Sequence, residues 1–351
     1  MTKPTASSSA RETGLPVFYL NQVGGQDDLV FDGYSFVMDI DGRIVMQMPD
    51  FEESVQSFSW PFSHSIDTRH SDQSELQTIY KALTLGLRDY IHKNHFKGIL
   101  LGLSGGVDSA LAAVLAVDAI GPDKVHCVMM PSRYTSKDSM HDAALLAKNL
   151  DTRYDIIPIE DPVGAFHEGL APHLSDAPSI TYENLQSRTR GLILMALSNA
   201  SGHMVLTTGN KSEMATGYAT LYGDMCGGFN VLKDVYKTRV YELCRWRDPD
   251  NTLIPERILN RAPSAELKDN QTDQDTLPPY DELDKILFNL LEQDLGIEDL
   301  VRMGHARETV EKIVKMIALA EYKRRQSAPG VKITPRAFGR ERRYPITNRF
   351  R

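Results

Sequence analysis

The chain has 351 residues, room for about two domains, and its 41% apolar and 25% charged residues exclude a disordered chain. A net charge of −8, from 39 Lys/Arg against 47 Asp/Glu, is the wrong sign for a protein that coats nucleic-acid phosphates. The apolar run Ala110–Val117 is far short of the ~20 residues of a membrane span. Met1–Ala10 is small and polar, unlike a secretory leader. The three cysteines, Cys127, Cys226 and Cys244, form no CxxC pair, so neither a disulfide framework nor a zinc site is expected, and the location expected is cytoplasmic.

Residues 1–15 read as a loose leader. Short strands follow over Val17–Leu20, Leu29–Phe31, Tyr34–Met38 and Arg43–Met48, the last two split by Asp41-Gly42, a hairpin signal. This β-rich segment spans 16–60, and the polar stretch 61–74 reads as a linker. From residue 75 the period changes. Leu76, Ile79, Leu83, Leu87 and Ile91 mark a helix over Glu75–Asn94. Strands Ile99–Leu103, Val125–Met130, Tyr154–Ile159 and His203–Thr207 then alternate with helices Val107–Ile120, Ser139–Leu150 and Glu183–Ser201. Apolar strands alternating with helices predict an α/β fold for 75–330, a doubly wound parallel sheet with helices on both faces. After Val240 mostly helices are expected, split by a polar loop from Ser264 to Pro279. There is no internal repeat. Lys323–Arg351 holds ten Lys/Arg and one acid, a net of +9, so the first 322 residues carry −17. A basic tail, 331–351, either packs on its own protein or a symmetry mate or binds an anion, and the first is favoured.

The sharpest local feature is Gly102-Leu103-Ser104-Gly105-Gly106-Val107-Asp108-Ser109, between a strand and a helix. Its glycines let a phosphate approach the backbone N–H groups, and the helix N-terminus adds its dipole. Ser104 and Ser109 add hydroxyls. Asp108 would repel a bare phosphate and fits a role in holding Mg²⁺ against phosphate oxygens; an acid at a helix start is also a common cap. No GxxxxGK[ST] occurs, and the loop is not GxGxxG, which disfavours γ-phosphoryl transfer and dinucleotide redox chemistry. Gly102–Gly106 also fits GxSxG, a nucleophile elbow, but His305 is the only histidine after His203 and no HGGG-type segment occurs. A tight turn without ligand is the plain alternative.

The octet resembles the pyrophosphate-binding loop of the ATP pyrophosphatase superfamily. Further segments resemble one member, NAD synthetase: Glu183–Arg188, Thr207–Glu213, Tyr222-Gly223-Asp224-Met225 and Tyr322–Gln326, in order from about residue 75 to the end. The resemblance implies ATP-dependent amidation of deamido-NAD: its carboxylate is adenylated with loss of pyrophosphate, and ammonia displaces AMP. It implies ATP contacts from Gly102, Leu103, Ser104, Gly105, Gly106, Val107, Asp108, Ser109, Thr208, Lys237 and Ser264. Asp108 and Glu213 are implied as Mg²⁺ ligands, with Asp108, Glu213 and Lys237 catalytic. Asn184, Arg188, Glu213 and Lys323 are implied at deamido-NAD, and a homo-oligomer is implied. Taken singly, Asn184 reads as a cap, Arg188 as a partner of Glu183, Thr208 as a strand end, and Glu213 and Lys237 as solvated charges. Cys226 reads as a small loop residue, Cys127 and Cys244 as core. Within the superfamily the competing readings are GMP- and asparagine-forming synthetases; a tRNA-thiolating relative is disfavoured by the acidity and the cysteine spacing.

Two features point to the glutamine-using branch. Ammonia-using relatives place a lysine next to the Tyr-Gly-Asp step, where this chain has Leu221. Pro16–Gly33 resembles the last part of a nitrilase-type glutaminase domain, whose glutamate, lysine and cysteine lie upstream in that family. No cysteine precedes Cys127, so the expectation is a glutaminase remnant without catalytic residues, and ammonia taken directly or from a separate glutaminase.

Overall fold

The computed structural model describes residues 3–58, 74–269 and 271–347. The linker expected over 61–74 lies outside them, apart from Ser74. The N-terminal part is a helix, α1 (Lys3–Thr13), and five short strands: β1 (Val17–Tyr19), β2 (Val23–Gln26), β3 (Leu29–Asp32), β4 (Phe36–Met38) and β5 (Ile44–Gln47). The loose leader expected at 1–15 is thus corrected to a helix. Ala6 packs on Phe36 and Met38, and Ala10, one turn on, is also buried. Small residues give no apolar period to read, which is why the helix was not anticipated. Strands β1, β4 and β5 form an antiparallel sheet whose β4–β5 turn is the expected Asp41-Gly42 step, with Gly42 at φ +74°.

The expected strand at Leu29–Phe31 is β3, and its unanticipated partner β2 completes a hairpin that docks this part onto α2 (Glu75–Lys93). Gly25 lies so close that a Cβ on it would sit 3.0 Å from Gly86 Cα. Its N–H donates to Asp89 Oδ2 (2.8 Å) and its carbonyl accepts from Lys93 Nζ (2.6 Å). Two glycines where a strand should show branched side chains hide β2 from a pattern search.

The main sheet is parallel and five-stranded. In chain order its strands and helices are β6 (Ile99–Gly102), α3 (Val107–Ile120), β7 (Val125–Met129), α4 (Lys137–Asn149), β8 (Arg153–Ile156), α5 (Glu160–Leu170), α6 (Ile180–Ser201), β9 (Met204–Thr207), α7 (Lys211–Thr216) and β10 (Phe229–Asn230), and the spatial order is β10-β9-β6-β7-β8. Alternation along β6 decides the layers. Ile99 and Leu101 join the core with α2, α3 and α4, while Leu100 packs with Val128, Val205 and Leu194 beneath α5 and α6. Helices therefore cover both faces. β8 departs from the apolar expectation, with Arg153 and Ile156 exposed, because it is the sheet edge.

The remaining helices are α8 (Lys237–Arg247), α9 (Glu256–Asn260), α10 (Tyr280–Leu291), α11 (Ile297–Arg302), α12 (Arg307–Leu319) and α13 (Glu321–Arg324). A second core joins α7, α10, α11 and α12. The boundary expected at residue 330 cuts through packed chain: Val331 is buried in the first core and Phe338 in the second. The basic tail, as far as described, packs on its own protein. Arg336 and Arg342 pair with Asp294, Lys332 with Glu341 (2.7 Å), and Arg340 with Asp27 and Asp28 of the hairpin (3.4 Å each). No helix among the described residues is long and apolar enough to cross a membrane.

Candidate functional site

The strand order reverses between β6 and β9, since the chain steps outward through β7 and β8 and then returns to the other side. In open α/β sheets ligands bind at the carboxyl ends of strands flanking such a reversal. Here the loops after β6 and β9 face one cavity of about 300 Å³, lined by Gly102–Ser109, Thr208, Glu213, Lys237 and Ser264. Every residue expected on the ATP side therefore lines a single cavity.

The loop after β6 is held by its own serines. Ser109 Oγ accepts the Ser104 N–H (3.2 Å) and donates to Gly106 O (2.9 Å), and Ser104 Oγ accepts the Gly106 N–H (3.2 Å). Gly106 caps α3 without a side-chain hydrogen bond, leaving first-turn N–H groups for an anion. Gly105 sits at φ +80°, and a Cβ there would lie 2.5 Å from Ser139 O. Gly105→Ala is expected to destabilise the protein by about 1–3 kcal/mol from the left-handed backbone, with the clash adding to it. An unchanged urea midpoint would refute that.

Asp108, in the first turn of α3, faces α7 and α8. Its Oδ1 accepts from Asn210 Nδ2 (3.0 Å), and its Oδ2 contacts Lys237 Nζ, which also lies 3.6 Å from Glu213 Oε1. Asn210 and Glu213 form a reciprocal capping box: the Glu213 N–H donates to Asn210 Oδ1 (3.0 Å) and the Asn210 N–H to Glu213 Oε2 (3.2 Å). The Lys237 side chain is 4% exposed and that of Glu213 18%, so neither is a solvated charge. Burial, then the charge of Asp108, pushes the Glu213 carboxyl up, against the pull of Lys237. Burial works against the Lys237 ammonium, but Asp108 and Glu213 outweigh it and raise its pKa.

The groups on this cavity that were not anticipated include Asp273 and Arg190. Asp273, on the polar loop before α10, is buried and accepts from Tyr280 OH (2.8 Å); burial raises its pKa. Arg190 on α6 donates from Nε to Met130 O (3.0 Å), and burial lowers its pKa to about 10 against the charges of Glu266 and Asp224. Its signal was the second Arg of Arg188-Thr189-Arg190, two residues from the expected contact. Ser264, on the cavity wall, donates from Oγ to Gln271 O (2.6 Å).

Of the residues expected at deamido-NAD, Glu213 lines this cavity, whereas Asn184, Arg188 and Lys323 do not. The latter three converge on the loop after α7. Asn184 Oδ1 accepts from Thr220 Oγ1 (2.9 Å), Arg188 Nε donates to Leu221 O (3.2 Å), and Lys323 Nζ donates to Gly217 O (2.8 Å) and Ala219 O (2.6 Å). Asn184 lies within α6, which starts at Ile180, so it is not a cap, and Arg188 points to the loop rather than to Glu183. Cys226 lines the cavity, with burial raising its thiol, while Cys127 and Cys244 are buried.

Residues 79–327 match the family model described as NAD synthase. The chain belongs to the NAD synthase family. Residues 3–66 match the carbon-nitrogen hydrolase family, so that match takes in α1 as well as the expected β-rich segment. The chain is 50% identical over 367 residues to the glutamine-dependent NAD(+) synthetase of Rhodobacter capsulatus, covering 100% of this chain and 66% of that one. The NAD synthase chain thus spans just under two thirds of that relative's length. A glutamine-dependent NAD+ synthetase from Acinetobacter baumannii, solved with ADP, superposes with a TM-score of 0.66 at 45% identity, covering 99% of this chain and 64% of that one. An NMN synthetase from Francisella tularensis matches at TM-score 0.62 and 29% identity, covering 75% of this chain and 99% of that one. NAD synthase membership removes the GMP- and asparagine-forming readings. The GxSxG reading also fails: no histidine lines the cavity among the described residues, and Ser104 Oγ faces Ser109 Oγ (3.1 Å), not a base.

Proposed function

We propose that this chain amidates deamido-NAD to NAD through an adenylated carboxyl, releasing pyrophosphate and AMP. One observation carries the reading. A phosphate-accepting loop and two carboxylates sharing one buried ammonium meet at the sheet's reversal point, in a chain of the NAD synthase family. A carboxylate is a poor electrophile. Transfer of AMP to its oxygen breaks the α–β phosphoanhydride, and the acyl carbon then loses AMP when ammonia forms the C–N bond and gives up a proton. The protein's part is positioning and charge neutralisation. The loop N–H groups hold phosphates, and Lys237, kept charged, balances the oxygens that gain charge as pyrophosphate leaves.

Asp108 and Glu213 fit a Mg²⁺ site completed by phosphate oxygens, the mode in which one or two carboxylates suffice. No larger cluster of acidic, His or Cys ligands occurs among the described residues. Mg²⁺ bound there would neutralise phosphate charge. The apolar Ile180, Leu192 and Met195, exposed on α6, support a homo-oligomer, and the three free cysteines support a reducing, cytoplasmic setting.

The defining test is NAD formation from ammonium, ATP-Mg²⁺ and deamido-NAD, with AMP and pyrophosphate measured. Product only from nicotinate mononucleotide would move the assignment to the activity named for the Francisella neighbour. The two residue sets give a second prediction. Arg188→Ala and Lys323→Ala are expected to raise the deamido-NAD KM about tenfold and the ATP KM by a smaller factor, and Thr208→Ala to raise the ATP KM about tenfold with little change for deamido-NAD. Equal effects on both substrates would refute the division.

A further inference from the structure

Lys211 has no exposed surface, and no reading of the sequence gave it a role. Its Nζ reaches Glu292 Oε1 (2.5 Å), Asp234 Oδ1 (2.8 Å), Thr334 Oγ1 (2.6 Å) and Arg336 O (3.2 Å). Its backbone N–H donates to Val235 O (2.8 Å). Withdrawing such charges from water cancels much of their attraction, and apolar packing of the same volume is often as stable. What a satisfied ionic network adds is one fixed arrangement of the segments it joins.

The segments joined here are informative. On one side stand the neighbours of Lys211. Asn210 donates to Asp108 Oδ1 (3.0 Å), and Ser212 Oγ accepts the Lys237 N–H (3.0 Å) and donates to Asp284 Oδ1 (2.5 Å). Both partners of Asp108, Asn210 and Lys237, are thus anchored within one residue of Lys211. On the other side lies the strap 331–338. Its Ile333 and Thr334 N–H groups donate to Asp234 Oδ2 (2.8 and 2.7 Å) and its Arg336 N–H to Glu292 Oε2 (2.9 Å). Lys332 N–H reaches back to Asp28 O in the hairpin β2–β3 (2.7 Å).

We infer that Lys211 is a positioning residue. By pinning the strap to the first turn of α7 it sets where Asn210 and Glu213 stand relative to Asp108 and Lys237, and so acts on the phosphate side of the site without touching substrate. The inference rests on the amidation reading above.

The test uses the full 351-residue chain carrying Lys211→Met/Glu292→Gln, which removes a charge of each sign, and separately Thr334→Val and Thr334→Ser. Circular dichroism and thermal unfolding establish that each is folded. Steady-state kinetics are paired with Mn²⁺ binding, followed by electron paramagnetic resonance in the presence of α,β-methylene-ATP. The double variant and Thr334→Val are expected to lose about tenfold or more in kcat, with the deamido-NAD KM within about twofold. Their Mn²⁺ affinity should fall about fivefold or more, and Thr334→Ser should keep wild-type values. Should the double variant fail to fold, the Thr334 pair decides. Wild-type kcat and Mn²⁺ affinity in folded Thr334→Val would overturn the inference, as would Thr334→Ser as impaired as Thr334→Val. A wild-type chain that binds no α,β-methylene-ATP and makes no NAD would instead overturn the amidation reading.

Discussion

Asp108→Ala is expected to lower turnover by two to three orders of magnitude while the protein stays folded. Losing a preorganised contact to developing charge costs about 2.7–4 kcal/mol. Folding should survive because the Asp108 side chain belongs to neither core, and Lys237 keeps Glu213 at 3.6 Å and is not left unpaired. Asp108→Asn separates charge from shape. It still offers Asn210 an acceptor, yet removes the negative charge, and is expected to lose about as much as the alanine. The measurement is the initial rate at saturating ATP, deamido-NAD, ammonium and Mg²⁺, with circular dichroism as the control. Near-normal turnover in folded Asp108→Ala would refute its role, and near-normal turnover in Asp108→Asn alone would replace a charge role with a hydrogen-bonding one.

The reasons Asp108 was legible and Asp273 was not are physical. The loop Gly102–Ser109 joins a wholly apolar strand to an apolar helix whose bounds, Val107–Ile120, are those the pattern gives. A glycine-rich step between two such elements leaves few alternatives. Asp273 lies on a loop without period, and what makes it notable, burial beside Tyr280 and the cavity, comes from chain brought back by α10. Lys211 is hidden in another way. Lysines are mostly exposed, and this one is buried only because Asp234, Glu292 and Thr334 close around it from three distant places. Local signals were nevertheless present for α7. Asn210 followed three residues later by Glu213 is the spacing of a capping box, and read that way it would have placed the helix and Asn210 together. Strand β2 and helix α1 were lost for the opposite reason: glycine and alanine pack by being small, and a hydrophobic period does not register them.

The two residue sets are linked through one loop. Arg188 and Lys323 bond carbonyls of the loop 217–221, and Asp224, further along it, accepts the Thr220 N–H (2.7 Å) and lines the cavity. Desolvation by the surrounding chain raises the Asp224 carboxyl to about 6, and the charges of Lys323 and Arg190 pull it down. The loop therefore couples these outer residues, proposed for the dinucleotide, to the inner cavity. A substitution that shifts the loop will move both Michaelis constants, whereas Thr208→Ala, on the far wall after β9, should leave the loop in place. The asymmetry between them is the informative quantity, rather than either constant alone.

The nitrogen source gives the other large effect. The 351-residue chain is expected to make NAD from ammonium and to make none from glutamine. Taking the amide from glutamine needs an activated nucleophile that forms an acyl-enzyme. The stretch matching carbon-nitrogen hydrolases, residues 3–66, contains no cysteine. Elsewhere, Cys127 is buried on β7 with its thiol pushed up to about 11, Cys244 is buried on α8 and pushed up further, and Cys226 is raised by burial too. Each shift disfavours the thiolate that attack requires. The NAD synthase part, by contrast, has its loop, carboxylates and ammonium assembled in one cavity. Incubation of the pure chain with amide-¹⁵N glutamine, ATP-Mg²⁺ and deamido-NAD in ammonia-free buffer should give no labelled NAD by mass spectrometry, while ¹⁵N-ammonium should label the nicotinamide amide fully. Label from glutamine would show that one of these thiols, or another nucleophile of the chain, is activated after all. No label from ammonium would show that the assembled cavity does not complete the amidation in this chain.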